Sequence, residues 1–189
     1  MTNLRWFCGI FKHVGEVNSH CLGKSIMAHT VYLSLGTNLG DRQANLEAAL
    51  EILSSEMRLI AESPIYQTAP WGYEDQPDFL NQVVHAETEL SPRQLLIFVK
   101  SVEKQVGREP SFRYGPRKID VDILFYEEWV VQEDDLTIPH PRLHERAFVL
   151  VPLADLTPEL CHPRLKRKVA EMLDDVDATG VKRLRSSDQ

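Results

Sequence analysis

The stretch that most constrains this chain is Arg113-Tyr114-Gly115-Pro116-Arg117-Lys118-Ile119-Asp120-Val121-Asp122-Ile123-Leu124-Phe125-Tyr126. A Gly115-Pro116 turn signal leads into a β-branched and aromatic run that reads as a strand. Side chains alternate along a strand, so Asp120 and Asp122 share one face while Ile119, Val121 and Ile123 share the other. Such a strand belongs to a sheet with one apolar face and one polar face. The carboxylates lie about 7 Å apart, from a rise of roughly 3.3 Å per residue. An acidic pair in mid-strand is costly without compensation. A hard cation such as Mg²⁺ supplies it and commonly brings phosphates with it. The basic residues just upstream, Arg113, Arg117 and Lys118, are suited to phosphate oxygens. The stretch therefore points to a metal–nucleotide site. The plainer alternative is an acidic pair facing solvent on an edge strand.

A chain of 189 residues suits one domain with a good core. The formal charge of −7 argues against a general nucleic-acid binder. No apolar run approaches the ~20 residues of a membrane span. Cys8, Cys21 and Cys161 are scattered, without a C-x-x-C, which favours free thiols in a reducing cytoplasm. Residues 1–28 do not match the rest. Trp6–Phe11 is too short for a secretory core, and Lys12 follows at once. The expectation is either that Met27 is the natural start, with an upstream extension before it, or that 1–28 are a disordered leader. One domain over 29–175 and a flexible tail over 176–189 follow.

Val31–Leu35 reads as a strand and Gly36–Asp41 as a turn, with Asp41 an N-cap. Leu46, Ala49, Leu50 and Leu53 recur at helical spacing, predicting a helix over about 42–56. Residues 58–67 read as a strand leading to Pro64, and 68–78 as a turn-rich loop carrying Trp71 and Tyr73. In the next strand, 79–89, Phe79 and Asn81 share a face. A flat ring beside an amide suits a planar, polar heterocycle, though a core Phe and a structural Asn would look the same. Ser91-Pro92-Arg93-Gln94 is a capping box with Pro at N1. Leu95, Leu96, Val99, Val102 and Val106 give that helix its apolar face, and Gly107 closes it. Beyond the acidic strand, Trp129–Val131 and Leu136–Ile138 suggest a small hairpin. Pro139–Arg146 holds two His and two Arg, rich in donors for anions. A helix containing Arg146, Ala147, Phe148 and Leu150 is predicted to end before Pro152, with a short helix near the C-terminus. The order β-α-β-β-α-β is the ferredoxin-like motif. It predicts an α+β fold, with a mainly antiparallel sheet and both helices on one face, plus a C-terminal hairpin and helical part. The opposite face is then free for a ligand.

Gly115-Pro116-Arg117-Lys118-Ile119-Asp120-Val121-Asp122-Ile123-Leu124 resembles the signature of the 6-hydroxymethyl-7,8-dihydropterin pyrophosphokinase family of folate biosynthesis. Leu33–Asp41, Ser63–Gly72, Asp75–Asn81 and Ile138–Arg142 also fit, so the resemblance covers about residues 30–160. It implies transfer of the terminal diphosphate of ATP to the pterin hydroxymethyl group, with AMP leaving and two Mg²⁺ ions in the reactive complex. By motif, Asp120 and Asp122 would hold the metal, and Asp120 would help orient the hydroxyl. Arg108 and Arg117 would contact the phosphates and the charge that develops in transfer. His140 and Arg146 would line the nucleotide side. Ile123 and Thr137 would contact adenine, with Glu103 nearby and Arg113 as the nearest substitute for a second loop arginine. The pterin would stack between Phe79 and Phe148, its polar edge read by Asn81 and by the Thr68-Ala69-Pro70-Trp71 segment. Departures are Tyr114 where the family often has Trp, Phe79 where it often has Tyr, a short 108–113 loop, and Pro141 in place of an aromatic. The expected partners are the small-molecule substrates alone, with no nucleic acid and no membrane, bound by a cytoplasmic monomer. The rival readings are a non-catalytic ferredoxin-like binding module and a metal-dependent phosphodiesterase.

Overall fold

The computed structural model describes residues 28–112 and 114–185. The expected leader, Ala28 apart, lies outside them, as do Arg113 and residues 186–189. The first half runs β1 (His29–Thr37), α1 (Arg42–Leu53), β2 (Met57–Glu62), β3 (Tyr66–Thr68), β4 (Phe79–Thr88) and α2 (Pro92–Val106). Next come β5 (Asp120–Tyr126), a small hairpin of β6 (Val131–Gln132) and β7 (Thr137–Ile138), α3 (Ala147–Leu156), α4 (Val169–Leu173) and β8 (Lys182–Arg183). In the main sheet β5 pairs with β1, β1 with β4, and β2 and β3 share the far side of β4, all antiparallel. This is the ferredoxin-like order expected from the sequence. Among the described residues, no helix is long and apolar enough to cross a membrane.

Local chemistry sets the boundaries. The side chain of Asp41 accepts from the Ala44 N–H and starts α1, which ends at Leu53, three residues earlier than predicted. Ser91 and Gln94 form the reciprocal capping box of α2, and Gly107 ends it at φ 97°, a left-handed position that glycine adopts without a Cβ penalty. The single strand predicted over 58–67 is two strands, because Pro64 has no N–H to give the ladder. Ser63 spans the break. Its N–H donates to Val83 O (2.9 Å), and its hydroxyl accepts the Val83 N–H (3.0 Å).

On one face of the sheet, Leu33, Leu35, Val84 and Val121 pack with Leu46 and Leu53 of α1 and Leu95, Val99 and Val102 of α2. The other face is not left free, as the sequence predicts, but half covered. Tyr32, Val83, Leu124 and Phe125 meet Leu143, Val149, Leu150, Leu153, Val169 and Met172 in a second core. A bulge in β5 makes this possible. Tyr32 opposes Phe125 and Leu33 opposes Ile123, so Leu124 is an extra residue and the alternation shifts by one. Leu124 and Phe125 therefore follow Asp120 and Asp122 on the same face, while Tyr126 joins Val121 and Ile123.

Two further expectations need correction. The predicted stop before Pro152 does not occur, and α3 runs through it to Leu156. Pro152 removes one backbone bond, yet Val149, Leu150 and Leu153 on either side of it are fully buried, and their burial holds the helix together. The tail expected over 176–189 is in part sheet. Lys182–Arg183 pair with Tyr66–Gln67, and the Leu184 N–H donates to Ile65 O (2.8 Å).

Candidate active site

The uncovered half of that second face forms the floor of a cleft of about 360 Å³. Three strands supply the floor: Ser34 and Gly36 from β1, Phe79 and Asn81 from β4, Asp120 and Asp122 from β5. Register brings them together, since Gly36 lies opposite both Asn81 and Asp120, and Ser34 opposite Asp122. Gly36 leaves the middle of the floor hollow. A Cβ there would come within 3.4 Å of Asn81 Oδ1 and 3.9 Å of the Phe79 ring.

The walls are loops, together with the end of β3 and the start of α3. Thr68, Ala69 and Trp71 stand at one side, Arg108, Tyr114 and Arg117 at another, and His140, Arg146 and Phe148 at the third. Asn38, buried at the end of β1, ties two of these loops together. It donates from its backbone to Arg117 O (3.1 Å) and accepts the Arg117 N–H on its side-chain oxygen (2.8 Å). Its amide nitrogen donates to Gln76 Oε1 (2.9 Å) and Pro77 O (3.1 Å). Gly36 and Thr37, expected from the sequence to begin a turn, instead continue β1, paired with Asn81 and Leu80, and the chain leaves the strand only at Asn38.

The two carboxylates have different surroundings. Asp120 accepts from Arg108 Nη1 (2.6 Å) and Arg117 Nη1 (2.8 Å). Burial alone would raise its pKa, but the Arg117 and Arg108 charges hold it below the usual carboxylate range. Among the described residues, Asp122 has only looser partners, Arg146 Nη1 at 3.5 Å and His140 Nε2 at 3.9 Å. Burial, and then the charge of Asp120, push its carboxyl up to about 6. His140 goes the other way. Burial and the adjacent Arg146 charge lower it to about 4, so its imidazole is neutral at pH 7. Among the described residues, Asp122 is thus held by cations less closely than Asp120 is. Mg²⁺ is usually held by one or two carboxylates, with water and substrate phosphates completing its shell, and these residues fit it. No cluster of three or more protein ligands occurs among the described residues, so phosphate oxygens would supply the rest.

The pterin-side residues named from the sequence (Thr68, Ala69, Trp71, Phe79, Asn81, Asp120 and Phe148) all line this cleft, as do Arg108, Arg117, Asp122, His140 and Arg146. Asn81 donates to Thr68 Oγ1 (2.8 Å), which fixes its amide. Three residues named for the nucleotide do not line it. Glu103 is buried behind it, accepting from the Val121 N–H (2.9 Å), Lys100 Nζ (2.7 Å) and Arg108 Nη1 (2.6 Å). The Ile123 side chain sits in the helix-side core, and Thr137 is on the outer hairpin. Arg113 lies outside the described residues. The sequence reading missed Ser34, Gly36 and Lys100 as lining residues and noted Tyr114 only as a departure. Strand alternation from Tyr32 would have given the first two. Lys100, three residues before Glu103, had no signal beyond its helix position.

The model of the 7,8-dihydro-6-hydroxymethylpterin-pyrophosphokinase family matches residues 32–158. A 2-amino-4-hydroxy-6-hydroxymethyldihydropteridine pyrophosphokinase of Aquifex aeolicus is 42% identical over 142 residues, which cover 75% of this chain and 89% of that protein. One from Methylorubrum extorquens is 44% identical over 155 residues, 81% of this chain and 97% of that protein. The crystal structure of wild-type Plasmodium falciparum HPPK-DHPS superposes with a TM-score of 0.64 at 18% identity, over 79% of this chain and 45% of that one. At that identity the likeness concerns the fold alone. With the family model spanning most of the described sheet, and two relatives matched over nearly their full length, this chain belongs to the 7,8-dihydro-6-hydroxymethylpterin-pyrophosphokinase family.

Proposed function

We propose that the cleft transfers the terminal diphosphate of ATP to the hydroxymethyl group of 6-hydroxymethyl-7,8-dihydropterin, releasing AMP, as a step of folate biosynthesis. One observation carries the reading. A flat, amide-bearing half (Phe79, Asn81, Phe148) and a charged half (Asp120, Asp122, Arg108, Arg117) share a single cavity.

Phe79 and Phe148 offer ring faces to the pterin, and Asn81, with the Thr68–Trp71 backbone, reads its polar edge. Asp120 accepts a hydrogen bond from the substrate hydroxyl and orients its oxygen toward the β-phosphorus, where the new O–P bond forms as the bond to the AMP oxygen breaks and the hydroxyl proton passes to solvent. Arg108 and Arg117 already point into the cleft and stabilise the charge spread over the phosphate oxygens. Arg146 Nε is buried without an acceptor among the described residues, a vacancy that suits an anion. Neutral His140 adds a ring nitrogen on the same side, and by the family resemblance alone Arg113 would add a further ATP contact. Glu103 aligns Arg108 and Lys100. The Val121 N–H points out from β5 to Glu103, so by the two-residue repeat the Ile123 backbone groups face the same outer edge. Adenine would sit there, between the Ile123 backbone and Thr137. Asp120 and Asp122 would hold Mg²⁺, two ions when ATP is bound, which neutralises phosphate charge and polarises the transferred group. Positioning dominates such transfers, and no strong side-chain base is required.

We further propose that residues 29–175 form the catalytic unit, that 1–28 are an upstream extension, and that the protein acts as a cytoplasmic monomer. Size-exclusion chromatography with light scattering checks the last point, and a dimer mass would overturn it. The reaction itself is tested by incubating protein with Mg²⁺, ATP and the pterin and separating the nucleotides. AMP formed in step with pterin diphosphate supports the reading. ADP, or AMP without pterin, would overturn it.

A further inference from the structure

Arg142 has no task in the reaction as drawn so far, yet three loops converge on it. It does not line the cleft. Its Nη1 donates to the Tyr114 hydroxyl (3.0 Å), its Nε donates to Glu145 Oε2 (3.0 Å), and its guanidinium carbon lies 4.3 Å from the centre of the Trp71 ring. Trp71 in turn meets Tyr114 edge-on, with centroids 5.5 Å apart and planes at 90°. One guanidinium thus joins the 69–78 loop, the 114–119 segment and the turn after β7.

The surroundings show that this meeting is built rather than incidental. Tyr114 is held at φ 63°, a left-handed conformation that a bulky non-glycine residue rarely adopts. Its ring lies against Gly72, where a Cβ would come within 3.2 Å of Tyr114 Cδ2. Gln76 Nε2 donates to Tyr114 O (2.8 Å). On the other side, Arg142 precedes a short 3-10 turn, Leu143–Glu145, whose Leu143 is fully buried in the second core. Arg142 is therefore anchored through the backbone beside a buried residue, and Trp71 and Tyr114 are the parts of two loops that meet its side chain. Arginine suits this place because its planar fork can stack on an indole while its in-plane N–H groups reach two acceptors in a preset geometry, which the compact, tetrahedral ammonium does not offer.

We propose that Arg142 is a positioning residue for the pterin. By clamping the Trp71 indole against Tyr114, it fixes the Thr68–Trp71 backbone that reads the pterin's polar edge. This assignment rests on the functional reading given above. The plain alternative is a solvent-exposed Arg142–Glu145 pair of little consequence, which would leave pterin binding untouched.

The test uses Arg142→Gln, Tyr114→Phe, the double variant and Arg142→Lys in the full chain. The first readout is amide hydrogen exchange over 69–78, with 147–156 as an internal control. Exchange over 69–78 is expected to rise in all four variants while 147–156 stays unchanged. The second is steady-state kinetics. KM for the pterin is expected to rise about 5–10-fold in Arg142→Gln, from the loss of one hydrogen bond and one cation–π contact. KM for ATP and kcat should stay within about twofold, because neither reports on the pterin-edge backbone. Tyr114→Phe and Arg142→Lys should show smaller rises, and the double variant should be no worse than Arg142→Gln, since both act on one clamp. Unchanged exchange, equal effects on ATP and pterin, or a fall in kcat at constant KM would overturn the clamp. An inactive parent protein would count against the proposed reaction instead, and the exchange readout, which needs no substrate, would still decide the clamp.

Discussion

One face of the sheet is divided between two purposes. Toward one end, β1, β4 and β5 present Tyr32, Val83, Leu124 and Phe125 to α3 and α4. A few residues along, the same strands present Ser34, Gly36, Phe79, Asn81, Asp120 and Asp122 to an open cleft. The covered half is apolar and tightly filled. The open half keeps two adjacent carboxylates, one of them pushed up to about 6 by burial and by its neighbour. Ionising Asp122 opposes folding of the metal-free protein, so that half is not arranged for stability. Substitutions in the two halves should therefore separate, with activity lost in one and stability in the other.

The largest effect is expected at Asp120. Asp120→Ala should lower turnover roughly a thousandfold or more, as loss of metal and phosphate positioning does, while circular dichroism reports an intact fold. Near-normal turnover would break the comparison on its functional side. Leu150→Ala is the counterpart in the covered half. Leu150 is fully buried there, and truncation should cost about 2–5 kcal/mol of stability in denaturant titration. The folded fraction should keep its kcat, and a specific loss of turnover would blur the division. Phe148 sits on the boundary, on the helix that covers one half but with its ring in the other. Phe148→Ala should weaken pterin binding about tenfold, from the loss of a stacked ring, and ATP binding much less. Equal losses for both ligands would remove it from the pterin side.

The smallest effect is a pH dependence. His162 is buried against the edge of the Phe125 ring, and its Nδ1 accepts the N–H groups of Arg164 and Leu165. Burial, then the nearby His144 and Arg164 charges, lower its pKa from the ordinary 6.5. Below that value the unfolded chain binds more protons than the folded one, so stability is full above about 6.5 and falls as the pH drops toward the folded pKa. His162→Asn keeps an acceptor and removes the titration. In urea titrations, the stability difference between parent and variant should shrink on acidification from pH 7 to 5. A constant difference would exclude His162 as the source. His85, stacked on Tyr32 and lowered chiefly by burial, supplies a slope of the same sign in both proteins.

What the sequence made legible follows the same division. Alternation placed Asp120 and Asp122 opposite Val121 and Ile123, and the capping box and Gly107 set α2 closely. Two-residue periodicity carries that information locally. The covered half was not legible. The bulge at Leu124 changes which face a residue occupies, and it is fixed by pairing with Tyr32 and Leu33, not by local composition. Pro152 signals a helix end, yet tertiary burial on both sides of it carries α3 through. Charged and aromatic residues of the cleft could be named because the family resemblance supplied them. Gly36 was missed although strand alternation from Tyr32 carries it, and Lys100, on α2, has no such local signal. The Arg142 contact joins residues 71, 114 and 142, which no local pattern links.

The most direct test of the division is Asp122→Asn, measured for thermal unfolding without Mg²⁺ and for AMP formation with it, both at pH 8. An equal or higher Tm is expected, because a carboxylate that resists ionisation has been replaced by a neutral amide, together with turnover reduced roughly a hundredfold or more. A clear drop in Tm with AMP formation preserved would mean that Asp122 serves the fold and not the reaction, and would contradict the account.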